Sequence, residues 1–147
     1  MHVGLEITDL LANPKGCADR GTREKPRHLT TKYIGVLMSF NEFQFHPKIN
    51  AGIAACGYTA PTPIQKEAIP SILAGRDMLG LAQTGTGKTA AFVLPLLQRL
   101  QDGPRKVVRA LIVAPTRELA EQIHENICMM GKQTGLRSVV VYGGVGK

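Results

Sequence analysis

The sequence is poor in cysteine and in long apolar runs. Its 147 residues include three cysteines, Cys17, Cys56 and Cys128, which lie far apart and form no Cys-x-x-Cys pair. This spacing indicates neither a disulfide framework nor a zinc site, and it favours a reducing compartment. No stretch reaches the roughly 18 uninterrupted apolar residues of a membrane span, and the amino terminus lacks the apolar core of a signal peptide. The sequence therefore predicts a cytoplasmic protein with no membrane partner.

Acidic residues are fewer than basic ones. The 18 Lys and Arg residues against 11 Asp and Glu residues give a formal net charge of +7. A surplus of this size suits a polyanionic partner such as nucleic acid, although a generic solvated surface explains the charge alone equally well. A hydrophobic content of 44% is typical of a globular domain with its own core.

The first 37 residues differ in composition from the rest of the chain. They are rich in Pro, Gly, Thr and charge and show no helical or strand period, so we predict a poorly ordered leader at residues 1–37. After Met38, a helix is predicted from Pro47 to just before Gly57.

A second helical stretch is predicted between Pro63 and Gly75. Thr62 is placed as its N-cap, and Pro63 occupies the first helical position. Because an internal proline breaks the hydrogen-bond pattern, we expect Pro70 to split the stretch into two short helices.

Three apolar runs of strand length then alternate with two helical patterns. The runs are DMLGLAQ, RALIVAP and RSVVVYGG, and the helical patterns are KTAAFVLPLLQRLQ and TRELAEQIHENICMMGKQ. The second pattern places Leu119, Ile123, Ile127 and Met130 on one face, which we expect to pack in the core. Continuous apolar strands alternating with helices predict an α/β fold with a parallel sheet covered on both faces.

The segment AQTGTGKT lies between a predicted strand and a predicted helix. Glycines let backbone N–H groups approach an anion, and the first turn of the helix directs its free N–H groups to the same point. The lysine supplies a charge for the β- and γ-phosphates, and Thr89 is placed to ligate Mg²⁺. The predicted nucleotide-binding residues of this loop are Ala82, Gln83, Thr84, Gly85, Thr86, Gly87, Lys88 and Thr89.

Gln65 is a candidate for recognising the base. Its amide offers one acceptor and two donors, so it can pair with both N6–H₂ and N7 of adenine, whereas guanine would confront it with a second acceptor. This arrangement favours adenine by roughly 1–3 kcal/mol. Taken alone, however, a glutamine on a helix is usually a solvated side chain, and that explanation is favoured without further context.

Taken together, these segments resemble the DEAD-box RNA helicases. Residues 57–65, GYTAPTPIQ, are similar to the family's Q motif, and AQTGTGKT is its form of the Walker A loop, with alanine first. Residues 115–120, PTRELA, resemble motif Ia, and Gly143-Gly144 resembles an RNA-contacting element. Phe40 stands 25 positions before the Q-motif glutamine, where the family carries an aromatic residue. The style of residues 38–89 is most similar to bacterial members.

The resemblance implies an ATP-dependent RNA helicase. It implies a three-layer RecA-like P-loop domain, truncated here, with a Q-motif region at 38–66 and the amino-terminal part of the first RecA-like domain at 67–147. ATP and Mg²⁺ are the implied cofactors. Phe40 and Gln65 would recognise adenine, and Thr62 would connect the Q motif to the phosphate loop.

RNA is the partner that the resemblance implies. Contacts to phosphates of a single strand position it without reading its sequence. Protein partners in a ribonucleoprotein or an RNA-degradation complex are left unidentified. The implied RNA-binding residues are Pro115, Thr116, Arg117, Gly143 and Gly144.

The family's Asp-Glu-Ala-Asp box occurs nowhere in the 147 residues. Its first Asp supports Mg²⁺ and its Glu positions the attacking water in the family, and the Ser-Ala-Thr motif and second domain are also missing. No catalytic residue is therefore assigned, and we expect binding without hydrolysis by these residues alone. Two alternatives stay open: another P-loop ATPase or nucleotide kinase, and a short nucleotide- or RNA-binding module without enzymatic activity.

Overall fold

A computed structural model describes residues 5–7 and 39–144 of the chain. The elements are strand β1 (Leu5–Ile7), a 3-10 helix (Phe40–Phe43), α1 (Pro47–Ala55), α2 (Pro63–Leu73), β2 (Met78–Gly80), α3 (Lys88–Arg99) and α4 (Arg117–Met130). Apart from β1, the predicted leader lies outside the described residues, so its predicted disorder stays a prediction.

Helix α1 forms where the sequence predicts it. The Nδ1 atom of His46 accepts a hydrogen bond of 3.2 Å from the backbone N–H of Lys48, and Pro47 follows at the first helical position. The chain leaves the helix at Gly57, whose φ of 74° suits glycine. Ile49 and Ile53, four residues apart, are both buried.

Helix α2 is continuous, so the predicted break at Pro70 is wrong. Pro70 lies on the exposed side of the helix, while Ile69 and Ile72 are buried against the rest of the core. Fully burying such a side chain stabilises the fold by about 1.5–3 kcal/mol. Two of them offset the roughly 3 kcal/mol that an internal proline costs.

Helix α3 lies at the centre of the core. Phe92, Val93, Leu94 and Leu97 are buried, and α2 and α4 both pack against this helix. Helices α1 and α4 also approach closely, since a Cβ atom built on Gly52 would lie 1.9 Å from the carbonyl oxygen of Met130.

Helix α4 confirms the predicted apolar face. The Thr116 hydroxyl caps the helix by accepting a hydrogen bond of 3.2 Å from the backbone N–H of Leu119. Ile123 and Met130 are buried, and Leu119 and Ile127 pack against the core with part of their surface exposed.

The described residues show one two-stranded sheet, and it is antiparallel. β1 pairs with β2 in the register Leu5↔Gly80, Glu6↔Leu79 and Ile7↔Met78. The predicted strands at 109–115 and 137–144 carry no strand hydrogen bonding within the described ranges. Strands take their hydrogen bonds from neighbours, so an apolar run alone does not produce one. The parallel sheet is therefore not shown.

The three apolar runs share an alternating burial pattern despite the missing ladder. Their more exposed positions lie two residues apart, whereas the positions between them are partly buried. The first run was predicted to be buried, and this is wrong for one of its two faces, because Leu79 is 69% exposed. The exposed apolar residues of the three runs are Leu79, Leu81, Leu111, Val113, Val139 and Val141.

Candidate nucleotide and RNA site

The phosphate loop connects β2 to α3, as the sequence predicts. Gly85 and Gly87 have φ values of 80° and 88°, in the left-handed region that favours glycine. The Thr86 hydroxyl donates a hydrogen bond of 2.7 Å to the carbonyl of Gln83, which closes the loop on itself. Lys88 is the first residue of α3, so the unpaired N–H groups of the first helical turn adjoin the loop.

The Lys88 amine folds back over this loop. It donates hydrogen bonds to the carbonyl oxygens of Ala82 and Gln83, the latter at 2.6 Å. The same cation is thus held within the segment whose glycines and helix terminus favour an anion. A phosphate bound there would exchange these carbonyl contacts for charge-assisted bonds to its own oxygens.

Gln65 joins the start of α2 to the phosphate loop. Its Oε1 atom accepts a hydrogen bond of 2.9 Å from the backbone N–H of Thr62, and its Nε2 atom donates one of 3.1 Å to the carbonyl of Gly87. The side chain is 1% exposed. The structure thus shows Gln65 as a bridge between the two motifs, and its contact with adenine stays a prediction.

Gly87 is confined by this bridge. A Cβ atom at position 87 would lie 2.5 Å from Nε2 of Gln65 and 3.3 Å from the Thr62 hydroxyl oxygen. Among the described residues, the Thr62 Oγ1 atom is buried and has no hydrogen-bond partner. Thr62 therefore lies close to Gly87 of the phosphate loop, and its Oγ1 atom has no hydrogen-bond partner there.

Phe40 lies in the apolar core. It is 4% exposed, and its ring centroid lies 6.2 Å from that of Phe43 and 6.1 Å from that of Tyr58. The structure does not present this ring at the surface, and its predicted stacking on adenine is untested.

Two segments of the predicted RNA site come together at the start of α4. The Nη2 atom of Arg117 donates a hydrogen bond to the carbonyl of Gly143. Gly144 has a φ of 81°, and a Cβ atom there would lie 2.6 Å from the same Nη2 atom. The arginine and both glycines are exposed, as is Pro115, which precedes the Thr116 cap. Motif-like segments 26 residues apart thus form one surface cluster.

Comparison with known proteins identifies the family of this chain. The profile described as DEAD/DEAH box helicase matches residues 62–147. The chain belongs to this family.

Relatives of this chain come from fungi and from a bacterium. It is 50% identical over 107 residues to the ATP-dependent rRNA helicase RRP3 of Debaryomyces hansenii, which covers 73% of this chain and 22% of that protein. It is 46% identical over 106 residues to the DEAD-box ATP-dependent RNA helicase RhpA of Helicobacter pylori, covering 72% of this chain and 21% of that protein. The chain thus spans about a fifth of the length of these relatives.

A solved structure of another protein shares its fold with this chain. The crystal structure of the RNA helicase Prp28 from Chaetomium thermophilum bound to ADP matches it with a TM-score of 0.69 and 40% identity. The match covers 77% of this chain and 29% of that one. The fold is therefore that of a DEAD-box helicase RecA-like domain over the matched share.

The residues of the phosphate loop fit a nucleotide with Mg²⁺. It supplies two left-handed glycines, a lysine and a helix amino terminus for phosphates, and the Thr89 hydroxyl on the first turn of α3 would hold the ion. Within residues 5–7 and 39–144, no group of three or more His, Cys, Asp or Glu side chains could hold a metal ion. No helix of these ranges is long and apolar enough to cross a membrane.

Two residues of the exposed cluster were missed in the sequence. The ring of Tyr142 lies under the Arg117 guanidinium, with 5.3 Å between Cζ and the ring centroid, and its hydroxyl donates a hydrogen bond of 2.7 Å to Glu121. This hydrogen bond and the negative charge of Glu121 raise the pKa of Tyr142, while the positive charge of Arg117 opposes the rise. The signals were the position of Tyr142 just before Gly143 and the four-residue spacing of Arg117 and Glu121.

Proposed function

We propose that this chain supplies the ATP-binding and part of the RNA-binding surface of an ATP-dependent RNA helicase. The observation that carries the proposal is the contact of Gln65 with Gly87, which joins a Q-motif-like segment to a phosphate loop at the start of a helix. The relatives' names describe ATP-dependent RNA helicases, and these support the same assignment.

At the nucleotide, each residue has a role suited to its position. The loop amides and the start of α3 would hold the phosphates, Lys88 would neutralise their charge, and Thr89 would ligate Mg²⁺. Gln65 and Phe40 would select adenine. Because both are buried, this selection requires the Q-motif segment to open toward the base.

At the RNA, the exposed cluster would bind the sugar–phosphate backbone. Arg117 has N–H donors beyond the one that contacts Gly143, and the backbone of Gly143 and Gly144 lies beside it, so their N–H groups would add to the contact. Such contacts hold a single strand in place without reading its bases. In the whole helicase, residues 77–83, 109–115 and 137–144 would form strands of one parallel sheet.

A nucleotide titration tests this function. Binding of a fluorescent ATP analogue with Mg²⁺ is measured for the chain, for Lys88→Ala and for the control Lys132→Ala, an exposed lysine just past the end of α4. We expect Lys88→Ala to weaken binding about tenfold or more, because a charge-assisted bond contributes about 1.5–3 kcal/mol, and the control to bind normally. Equal affinity of all three proteins would refute the assignment.

A further inference from the structure

We propose that Tyr142 is a positioning residue of the RNA site: it holds the Glu121 carboxylate away from Arg117 and supports the guanidinium from below, so that Arg117 stays available to a phosphate. The inference rests on the proposed RNA-binding function and assigns roles to two residues, Tyr142 and Glu121, that lie outside the recognised motifs.

The first step of the argument is the spacing on α4. Arg117 and Glu121 are four residues apart, and side chains at this spacing on a helix are close enough to form an ion pair. Such a pair would neutralise the cation and place a carboxylate where RNA phosphates would lie. In the structure the carboxylate instead accepts the hydroxyl hydrogen of Tyr142 at 2.7 Å.

The second step is the geometry around the guanidinium. The ring of Tyr142 covers one face of it, and the Gly143 carbonyl accepts from Nη2. Arg117 carries five N–H donors in one plane. Since the ring contact uses no N–H group and the Gly143 carbonyl uses only one, the remaining donors are left for a phosphate.

The third step is how the segments are joined. Tyr142 and Gly143 are neighbours in the chain, whereas Arg117 and Glu121 belong to α4. The two contacts of Tyr142 and the one of Gly143 therefore fix the 142–144 segment to the first two turns of the helix. A phosphate approaching Arg117 meets the Gly143 and Gly144 amides at the same place because of this attachment.

The experiment measures anisotropy of a fluorescent oligouridylate at several salt concentrations. Tyr142→Phe keeps the ring but frees Glu121, and we expect about two- to fivefold weaker binding, no more than the loss of Arg117 itself, with a salt slope lower by up to about one, as for one lost phosphate contact. Glu121→Gln alone should bind at least as tightly as the original chain. The double variant Tyr142→Phe/Glu121→Gln should regain most of the lost affinity, because no carboxylate remains to pair with Arg117. Glu125→Gln, an exposed glutamate one turn further along α4, is the matched control for lost charge.

Two results would overturn the inference. One is unchanged RNA affinity in Tyr142→Phe, and the other is a double variant as weak as the single one, which would indicate a general structural defect. A carbon-13 NMR titration of the tyrosine rings gives a readout without RNA: the raised pKa of Tyr142 should fall toward its ordinary value in Glu121→Gln. No change in that titration would also contradict the contact.

Failure of the proposed RNA function has a different signature. In that case the original chain and Arg117→Ala would bind the oligouridylate equally, whatever residue stands at 142, while the NMR titration would still report the contact between Tyr142 and Glu121. Arg117-dependent binding that ignores Tyr142 would instead remove only the positioning role.

Discussion

At the phosphate loop, the side chain that joins two motifs is buried and bonded on both sides, whereas at the start of α4 the joining side chains lie near the surface. Gln65 is 1% exposed and contacts Thr62 and Gly87. Arg117 and Glu121 are exposed and are linked through Tyr142. A buried polar group left unpaired costs about 1–3 kcal/mol, while an exposed pair contributes about 0–1 kcal/mol. Changes at the first site should therefore affect folding and binding together, and changes at the second should affect binding alone.

The largest effect is expected for Gly87→Ala. The left-handed φ costs an ordinary residue about 1–2 kcal/mol, and the overlap with Gln65 adds about 1–3 kcal/mol. We expect the free energy of unfolding to fall by about 2–5 kcal/mol, as measured by urea denaturation, with loss of ATP binding. Gly85→Ala is the matched control, because φ there is 80° but nothing lies within 4 Å of the added atom. Equal destabilisation by both substitutions would show that the contact with Gln65 has no energetic role.

Gln65→Ala comes next. It leaves the Thr62 N–H and the Gly87 carbonyl without their partner, so unfolding should become easier by about 1–3 kcal/mol. Nucleotide titration should also show weaker ATP binding and a smaller preference for ATP over GTP. Gln98→Ala removes one amide contact elsewhere, the bond of 2.7 Å to the His46 N–H, and should leave the ATP/GTP ratio unchanged. If Gln65→Ala keeps the original ratio, Gln65 does not select the base.

Arg117→Ala should change RNA binding without changing stability. We expect about fivefold weaker binding of single-stranded RNA and a salt slope reduced by about one, from the loss of one phosphate contact. Arg105→Ala is matched to it, since both arginines are exposed and both donate from Nη2 to a backbone carbonyl. The site would be misplaced if the two variants lost RNA affinity equally.

The smallest effect, no difference at all, is expected for phosphate release by the chain and by its Lys88→Ala variant. With ATP, Mg²⁺ and RNA, residues 1–147 should release phosphate no faster than the Lys88→Ala variant, because no residue of the chain matches the water-positioning glutamate of the DEAD box. RNA-stimulated phosphate release that disappears in Lys88→Ala would show that these residues are catalytically sufficient.

Local signals predicted the helices well. The bounds of α1 and the apolar face of α4 follow from caps, prolines and spacing within each segment. Pro70 was misinterpreted because its cost is offset by burial of Ile69 and Ile72, which depends on α3 and is invisible within α2 itself. The strands predicted at 109–115 and 137–144 are not shown in the described residues for a related reason, because hydrogen-bond partners come from distant segments.

The candidate site shows the same limit. The phosphate loop was predicted with its flanking elements because glycines, lysine and helix start lie within eight residues. The contact of Gln65 with Gly87 joins residues 22 apart, and that of Tyr142 with Glu121 joins residues 21 apart. Contacts of this range are set by packing. The sequence therefore predicted Gln65 and Gly87 as site residues without predicting their contact, and it did not predict Tyr142 or Glu121.

Each of the three alternating apolar runs leads into a candidate site. The first leads into the phosphate loop at Ala82, the second into Thr116 and Arg117, and the third into Gly143. One residue of extended chain measures about 3.3 Å, which is longer than a hydrogen bond. In the parallel sheet proposed above, a shift of one strand by a single residue would thus disconnect one loop from its proposed ligand and turn every side chain of the strand to the opposite face. The register of that proposed sheet would therefore set the spacing between bound nucleotide and RNA.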